Sequence, residues 1–341
     1  MKMQLPDLTM RTLCTLAGAA AVTFALSSGA VLAQSPAGAA NFPSKPITLI
    51  IPYTPGSTND IEARIYQENL QEQLKSTVLL DYKSGGSGII ANTFVARAAP
   101  DGHTLVWTSA TTTILPALRA DLPYDFLKDL APVGQTTKRI FLLTATPNFP
   151  AKNFQELVAY AKANPGAVTY STVGQGGAIH LAGVWMASAS GMDLNFVHYK
   201  GAAASDIDLM SGRIQLSAKG LVGALPLIKS GKIKLLAIYT GERTSLLPGI
   251  PTVAESGIPG FDYPSWVGIL APGATPRPVV DKLSAEFKKA VNSPKAMKNW
   301  ELQGTLPVGS TPDQFRKMLV AEAARWKKLV SDNGIKAELN D

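Results

Sequence analysis

Two segments of this chain combine residues able to hold an anion without any ionised side chain. Each reads as a short apolar strand, a Gly/Ser/Thr loop and an amphipathic helix. The first is Ile47–Ile51, then Pro52-Tyr-Thr-Pro-Gly-Ser-Thr-Asn-Asp60, then a helix from about Ile61. The second is Val168–Val173, then Gly174-Gln-Gly-Gly-Ala178, then a helix from about Ile179. Such a loop sets hydroxyls and unpaired backbone N–H groups at the positive end of a helix, where a carboxylate is favoured. A third segment, Thr108-Ser-Ala-Thr-Thr-Thr113, follows the strand Thr104–Thr108 and adds hydroxyls at the sheet edge where ligands of open α/β sheets gather. Asp60 reads as a helix cap rather than a ligand contact, because a carboxylate repels an anionic guest.

The elements that position these loops alternate strand and helix, which predicts α/β layering with the helices on both sheet faces. Lys2 and Arg11, the apolar run Leu13–Leu26 and Val31-Leu32-Ala33 predict a cleaved signal peptide over residues 1–33. Residues 34–41 read as a disordered lead-in. The only cysteine, Cys14, lies in the leader, so the mature chain is expected to have no disulfide, no Cys-ligated zinc and no thiol chemistry. The 341 residues then divide into lobe 1, 42–144 and 240–341, and lobe 2, 145–239, with crossings placed near Ala145 and Tyr239. In the first helix Ile61, Ile65, Leu70 and Leu74 mark the expected buried stripe. The net charge of +7 suits an anionic small ligand, and no basic run with interleaved aromatics points to nucleic acid.

Catalytic patterns fit poorly. Gly85-Gly-Ser-Gly-Ile89 fails the last position of a nucleophile elbow. His103, His180 and His198 stand at no metal-ligand spacing. Gly174-Gln-Gly-Gly177 lacks the third glycine of a dinucleotide loop. The competing class is a secreted α/β hydrolase or esterase using Ser87, which turnover of activated esters and its loss in Ser87→Ala would reveal.

Several strings in one order resemble the tripartite tricarboxylate transporter receptors, the Bordetella-uptake-gene type of periplasmic solute-binding protein. They are Phe42-Pro-Ser-Lys-Pro-Ile47, Pro52-Tyr-Thr-Pro-Gly56 with Asp60, Ala98-Ala-Pro-Asp-Gly-His-Thr-Leu105, Leu122-Pro-Tyr-Asp125 and Lys128-Asp-Leu-Ala-Pro-Val133. Ala161-Lys-Ala-Asn-Pro-Gly166, His198-Tyr-Lys-Gly201, Leu247–Gly257, Gly260-Phe261 and Ser265-Trp-Val-Gly-Ile-Leu-Ala-Pro272 complete the set. The resemblance implies a two-lobed periplasmic-binding-protein fold, type II-like, with a ligand cleft between lobes and no cofactor or metal. It implies a monomeric periplasmic receptor that delivers a carboxylate to integral membrane transporter subunits; a receptor for a sensor kinase is the variant reading. Carried onto this chain, the ligand contacts are Tyr53, Thr54, Gly56, Ser57 and Thr58, with Ser87, Ser109 and Thr111 close by. The second set is Ser171, Thr172, Gly174, Gln175, Gly176, Gly177 and His180, then Tyr199, Lys200 and Gly201. Where the family pattern usually carries an acidic residue and Asp-Asn, this chain has Gln215 and then Lys219-Gly220. Lys219 is accordingly expected near the cleft mouth, pairing with a second carboxylate of a dicarboxylate or an acidic aromatic.

Overall fold

In Ile47–Ile51, alternate side chains enter different cores: Leu49 and Ile51 join one buried cluster and Ile50 another. That is the signature of a strand buried on both faces. A computed structural model describes residues 41–335 except 54, 56, 57, 174, 200 and 201. The expected leader and almost all of the lead-in lie outside the described residues.

Along the chain come β1 (Ile47–Ile51), α1 (Thr58–Leu74), β2 (Val78–Tyr82), a 3₁₀ turn (Gly86–Gly88), α2 (Ile89–Ala96) and β3 (Thr104–Ser109). Next are α3 (Thr111–Leu118), β4 (Leu130–Arg139), β5 (Phe141–Ala145), α4 (Phe154–Ala163), β6 (Val168–Val173) and α5 (Ala178–Ser190). Then follow β7 (Leu194–Tyr199), α6 (Ala202–Ser211), β8 (Leu216–Gly220), α7 (Leu221–Lys229) and β9 (Lys234–Ile238). The chain returns through β10 (Trp266–Pro272), α8 (Arg277–Val291), α9 (Pro294–Gln303), β11 (Thr305–Pro307) and α10 (Pro312–Asp332).

Among the described residues, the strands form two mixed sheets. The first has the order β11-β4-β10-β3-β1-β2 and the second β7-β6-β8-β5-β9. β1 pairs in parallel with β2 and β3, whereas β10 runs antiparallel between β3 and β4. Arg139 still pairs in the first sheet and Phe141 already pairs in the second. The chain therefore passes between the sheets at Ile140, and Ala145, near which the crossing was expected, is the last residue of β5 in the second sheet. The return crossing also differs. Tyr239, Val253, Ile258, Phe261 and Tyr263 all belong to the second sheet's core, and Trp266 begins β10. The Pro/Gly-rich stretch after Tyr239 thus packs on the second sheet before the chain leaves it.

Two helix readings change. α1 starts at Thr58 rather than about Ile61, so Asp60 lies inside its first turn instead of capping it. There the carboxylate accepts hydrogen bonds from Arg64 Nε at 3.2 Å and Tyr82 Oη at 2.6 Å. The buried stripe of α1 is Glu62, Ala63, Tyr66 and Leu70, while Ile61 is 46% exposed. α3 and β11 were not anticipated. Three consecutive threonines disguise the start of α3, since β-branched residues are weak helix formers.

α10 closes one face of the first sheet. Its capping box at Thr311 and Gln314 and Pro312 at N1 define its start. Gly268 of β10 makes the close approach possible: a Cβ there would lie 2.3 Å from Phe315 Cζ and 3.1 Å from Gly134 O. On the same helix, Glu322 is buried between α3 and β10. Trp266 Nε1 donates to its Oε2 at 2.7 Å, and the same oxygen lies 2.6 Å from Thr113 Oγ1. Thr113 has one hydroxyl proton, and Ala110 O accepts at 2.8 Å. That hydroxyl is shared between Ala110 O and Glu322 Oε2. Burial pushes this carboxyl up from 4.5 to about 7, outweighing the hydrogen bonds from Thr113 and Trp266.

Gly268→Ala should destabilise the protein by about 1–3 kcal/mol, read as a lower urea midpoint, because Phe315 must move to admit the methyl. For Glu322 the folded pKa lies above the unfolded one, so its favourable contribution is complete below about pH 4.5 and is lost as pH rises through about 7. Relative to wild type, Glu322→Gln should therefore gain about 3 kcal/mol between pH 4.5 and 8. Denaturation of both proteins across that range checks this, and a constant difference would contradict it.

Candidate functional site

β1 and β3 are parallel neighbours, so the segments that follow them emerge at one edge of the first sheet. There Tyr53 Oη and Ser109 Oγ lie 2.6 Å apart, and Ser109 Oγ is 3.0 Å from Thr111 Oγ1. Thr111 is the first residue of α3, so the hydroxyl chain ends at a helix N-terminus. A second layer holds it from behind. Thr108 is hydrogen-bonded to Thr112, and Asn92 Nδ2 donates to Thr112 Oγ1 at 3.1 Å and to Tyr124 Oη at 2.9 Å. Neither Asn92 nor Tyr124 was expected here. Tyr124 lies in Leu122-Pro-Tyr-Asp125, one of the strings that marks the resemblance, and the structure supplies a use for it.

Ser87 occupies the 3₁₀ turn after β2 with φ +53°, flanked by Gly86 and Gly88 at +52° and +96°. It is exposed. Each histidine has a partner other than Ser87: His103 Nε2 accepts from Ser44 N, His180 from Gly176 N, and His198 bonds Thr172. Among the described residues no group of three His, Cys, Asp or Glu is placed to hold a metal ion.

The second site segment follows the parallel pair β6 and β7. Thr172 is fully buried, and its Oγ1 lies 2.5 Å from His198 Nδ1. Gly176 N donates to His180 Nδ1 at 2.9 Å, which leaves the ring proton on Nε2. The two imidazoles meet edge to face with centroids 4.9 Å apart. Burial, and then the neighbouring His198, lower the His180 pKa from 6.5 to about 4. At neutral pH the ring is thus an uncharged donor. Gly177 precedes α5 as its N-cap, and Ser171 is buried within β6. Tyr199 is engaged elsewhere, with its hydroxyl donating to Asp208 at 2.7 Å beside Arg213.

α3 and α5 share one buried cluster, with Ala110 and Ile114 from the first segment and Leu181 and Val184 from the second. Trp185 of α5 meets Trp326 of α10 at 6.1 Å, and Arg325 stacks on Trp185 at 4.5 Å. α10 thus packs against both α3 and α5, which follow strands of different sheets.

Lys219, expected near the cleft mouth, has a partner within the protein. It is only 8% exposed, lies opposite Leu142 in the β5–β8 ladder, and its ammonium is paired with Asp206 of α6. Burial of a lysine requires such a partner, so its charge is already neutralised within the protein. Thr54, Gly56, Ser57, Gly174, Lys200 and Gly201 lie outside the described residues. Thr58 is placed as the first residue of α1, and Gln175 lies in the turn before Gly176.

A family model described as the tripartite tricarboxylate transporter family receptor matches residues 62–335. The protein BugT of Bordetella pertussis is 30% identical over 304 residues, spanning 89% of this chain and 93% of that one. The solved periplasmic binding protein BugD is 30% identical, with 86% of this chain and 99% of that chain covered and a TM-score of 0.69. An R. palustris protein solved with adipate is 31% identical at the same coverage, TM-score 0.71. MatC from Rhodopseudomonas palustris, solved with bound malate, is 29% identical over 85% of this chain and 100% of that one, TM-score 0.68. The chain belongs to the tripartite tricarboxylate transporter receptor family, whose members are periplasmic solute-binding proteins with this two-lobed α/β fold.

Proposed function

We propose that this receptor captures a small carboxylate at the edge shared by its two sheets and delivers it to integral membrane transporter subunits. The observation that carries this reading is the pair of neutral donor sets described above. One is Tyr53, Ser109 and Thr111 at the start of α3; the other is uncharged His180 at the start of α5, its ring proton set on Nε2 by Gly176 N, with the Thr172–His198 pair behind it. Hydroxyls and helix N-termini stabilise a carboxylate by hydrogen bonds and dipole. Among the described candidate residues, the Lys219 ammonium is held by Asp206. The relatives solved with malate and adipate support a dicarboxylate of about four to six carbons as the substrate class. With Lys219 paired, the second carboxylate is recognised by neutral donors as well.

Capture proceeds by rotation of the two sheets about their crossings, with the ligand favouring the closed state by its additional contacts there. The leader directs the chain across the inner membrane and is cleaved near Ala33. Among the described residues no helix is long and apolar enough to cross a membrane.

A thermal-shift panel of mono-, di- and tricarboxylic acids tests the reading. A ligand at about 100 times its Kd stabilises the folded state by about 2.7 kcal/mol, a rise of several degrees in Tm. Malate or adipate, or a close analogue, should give such a rise, and a flat panel would remove the carboxylate assignment. Ser109→Ala removes the hydroxyl between Tyr53 and Thr111, and should weaken the best ligand by about tenfold to a hundredfold at nearly unchanged Tm of the free protein. An unchanged Kd by calorimetry would place the ligand elsewhere.

A further inference from the structure

Arg139 is the last residue of β4 before the chain crosses to the second sheet at Ile140. Its backbone is fixed to the return crossing: Arg139 N donates to Ser265 O at 3.3 Å, and Ser265 Oγ donates to Arg139 O at 2.6 Å. Its side chain reaches back to the first turn of α1. Nε donates to Glu62 Oε1 at 2.8 Å, and Nη2 donates to Asn59 Oδ1 at 3.0 Å. Glu62 is fully buried, and its other oxygen has no hydrogen-bond partner. The crossing, the return crossing and the helix that begins beside Tyr53 are thereby joined through one residue.

We propose that Arg139 is a positioning residue for ligand capture, coupling the angle between the sheets to the placement of the first turn of α1. The proposal rests on the receptor reading given above. A guanidinium is a rigid planar fork, and two acceptors one helical turn apart fix both its direction and its roll. A buried carboxylate cannot release its cation without a large desolvation cost, so Glu62 follows the guanidinium wherever the crossing carries it. Asn59 transmits the same displacement to the first turn of α1. Changes in backbone torsion at Arg139–Ile140, which rotation of the sheets demands, are thus delivered to α1 directly. The pairing of Lys138 with Asp262 at 2.6 Å, and of Asp262 with Gly241 N at 2.7 Å, holds the neighbouring backbone of both crossings. The Arg139 side chain connects that joint to α1, and its ladder partner Thr305 reaches the same Glu62 oxygen more weakly, at 3.5 Å.

The alternative is that Arg139 merely neutralises Glu62. Two variants separate the roles: Asn59→Ala leaves the ion pair intact and cuts the link to the first turn, and the double variant Glu62→Gln/Arg139→Gln removes both charges together. In ligand-free protein, amide exchange should rise by about tenfold or more over residues 62–66, the first amides bonded within α1, and by less than about twofold in α4. With malate and adipate as probes, association should slow severalfold in both variants. Wild-type exchange rates over 62–66 in both, or a rise spread evenly over both sheets, would overturn the coupling. If wild type binds neither probe, the carboxylate reading fails, while the ligand-free exchange comparison still decides the coupling.

Discussion

The two passages between sheets are hydrogen-bonded to each other through Arg139 and Ser265, and the rest of the architecture depends on that joint. Because β4 and β10 are also neighbours in the first sheet, both passages leave the same edge side by side. Two strands tied in register bend together more easily than they slide. The joint therefore permits a change of angle between the sheets while resisting shear. The described hydroxyls of Tyr53, Ser109 and Thr111 follow β1 and β3 at the same end of the first sheet, so small angular changes there act on all three.

The charges around the joint follow a consistent logic. Cations near the site edge are balanced by an internal acid: Arg139 by Glu62, Lys138 by Asp262, Lys219 by Asp206. Glu322 meets the opposite problem, a carboxyl buried with no salt-bridge partner among the described residues and only a weaker influence from Arg325, by retaining its proton up to about pH 7. Among the described residues, the edge also carries neutral groups, the hydroxyls of Tyr53, Ser109 and Thr111. Such an edge selects by geometry and by the number of donors an anion can satisfy, more than by net charge.

Much of this was legible in the sequence because it depends on local pattern. The repeated strand–loop–helix unit, the strong start of α10 and the span of α4 each rest on periodicity, capping and turn chemistry within a dozen residues. The fates of Lys219, of Glu322 and of the stripe on α1 were not legible, and for one reason. Each is decided by a partner on another element: Asp206 for Lys219, Thr113 and Trp266 for Glu322, and Arg139 for Glu62, which takes the buried position on α1 that Ile61 was expected to hold. A side chain's own type predicts its burial only when no distant group compensates it. The crossing at Ile140 escaped notice similarly, since nothing in Lys138-Arg-Ile-Phe141 distinguishes a continuing strand from one that changes sheets.

The strand order also sets an order of assembly. The second sheet is built from the continuous stretch between β5 and β9, so it is complete when that stretch has emerged. β4 has no ladder partner other than β10 and β11 among the described residues, and β10 begins only at Trp266. A chain threaded N-terminus first thus carries one open edge of β3 and a β4 unpaired on both sides until Trp266 and the residues after it arrive. Unpaired edges of that kind recruit foreign strands, and their long-range closure is slow. For a chain delivered in this direction, the interval before β10 is inserted is when it is most exposed to aggregation and has most use for a chaperone.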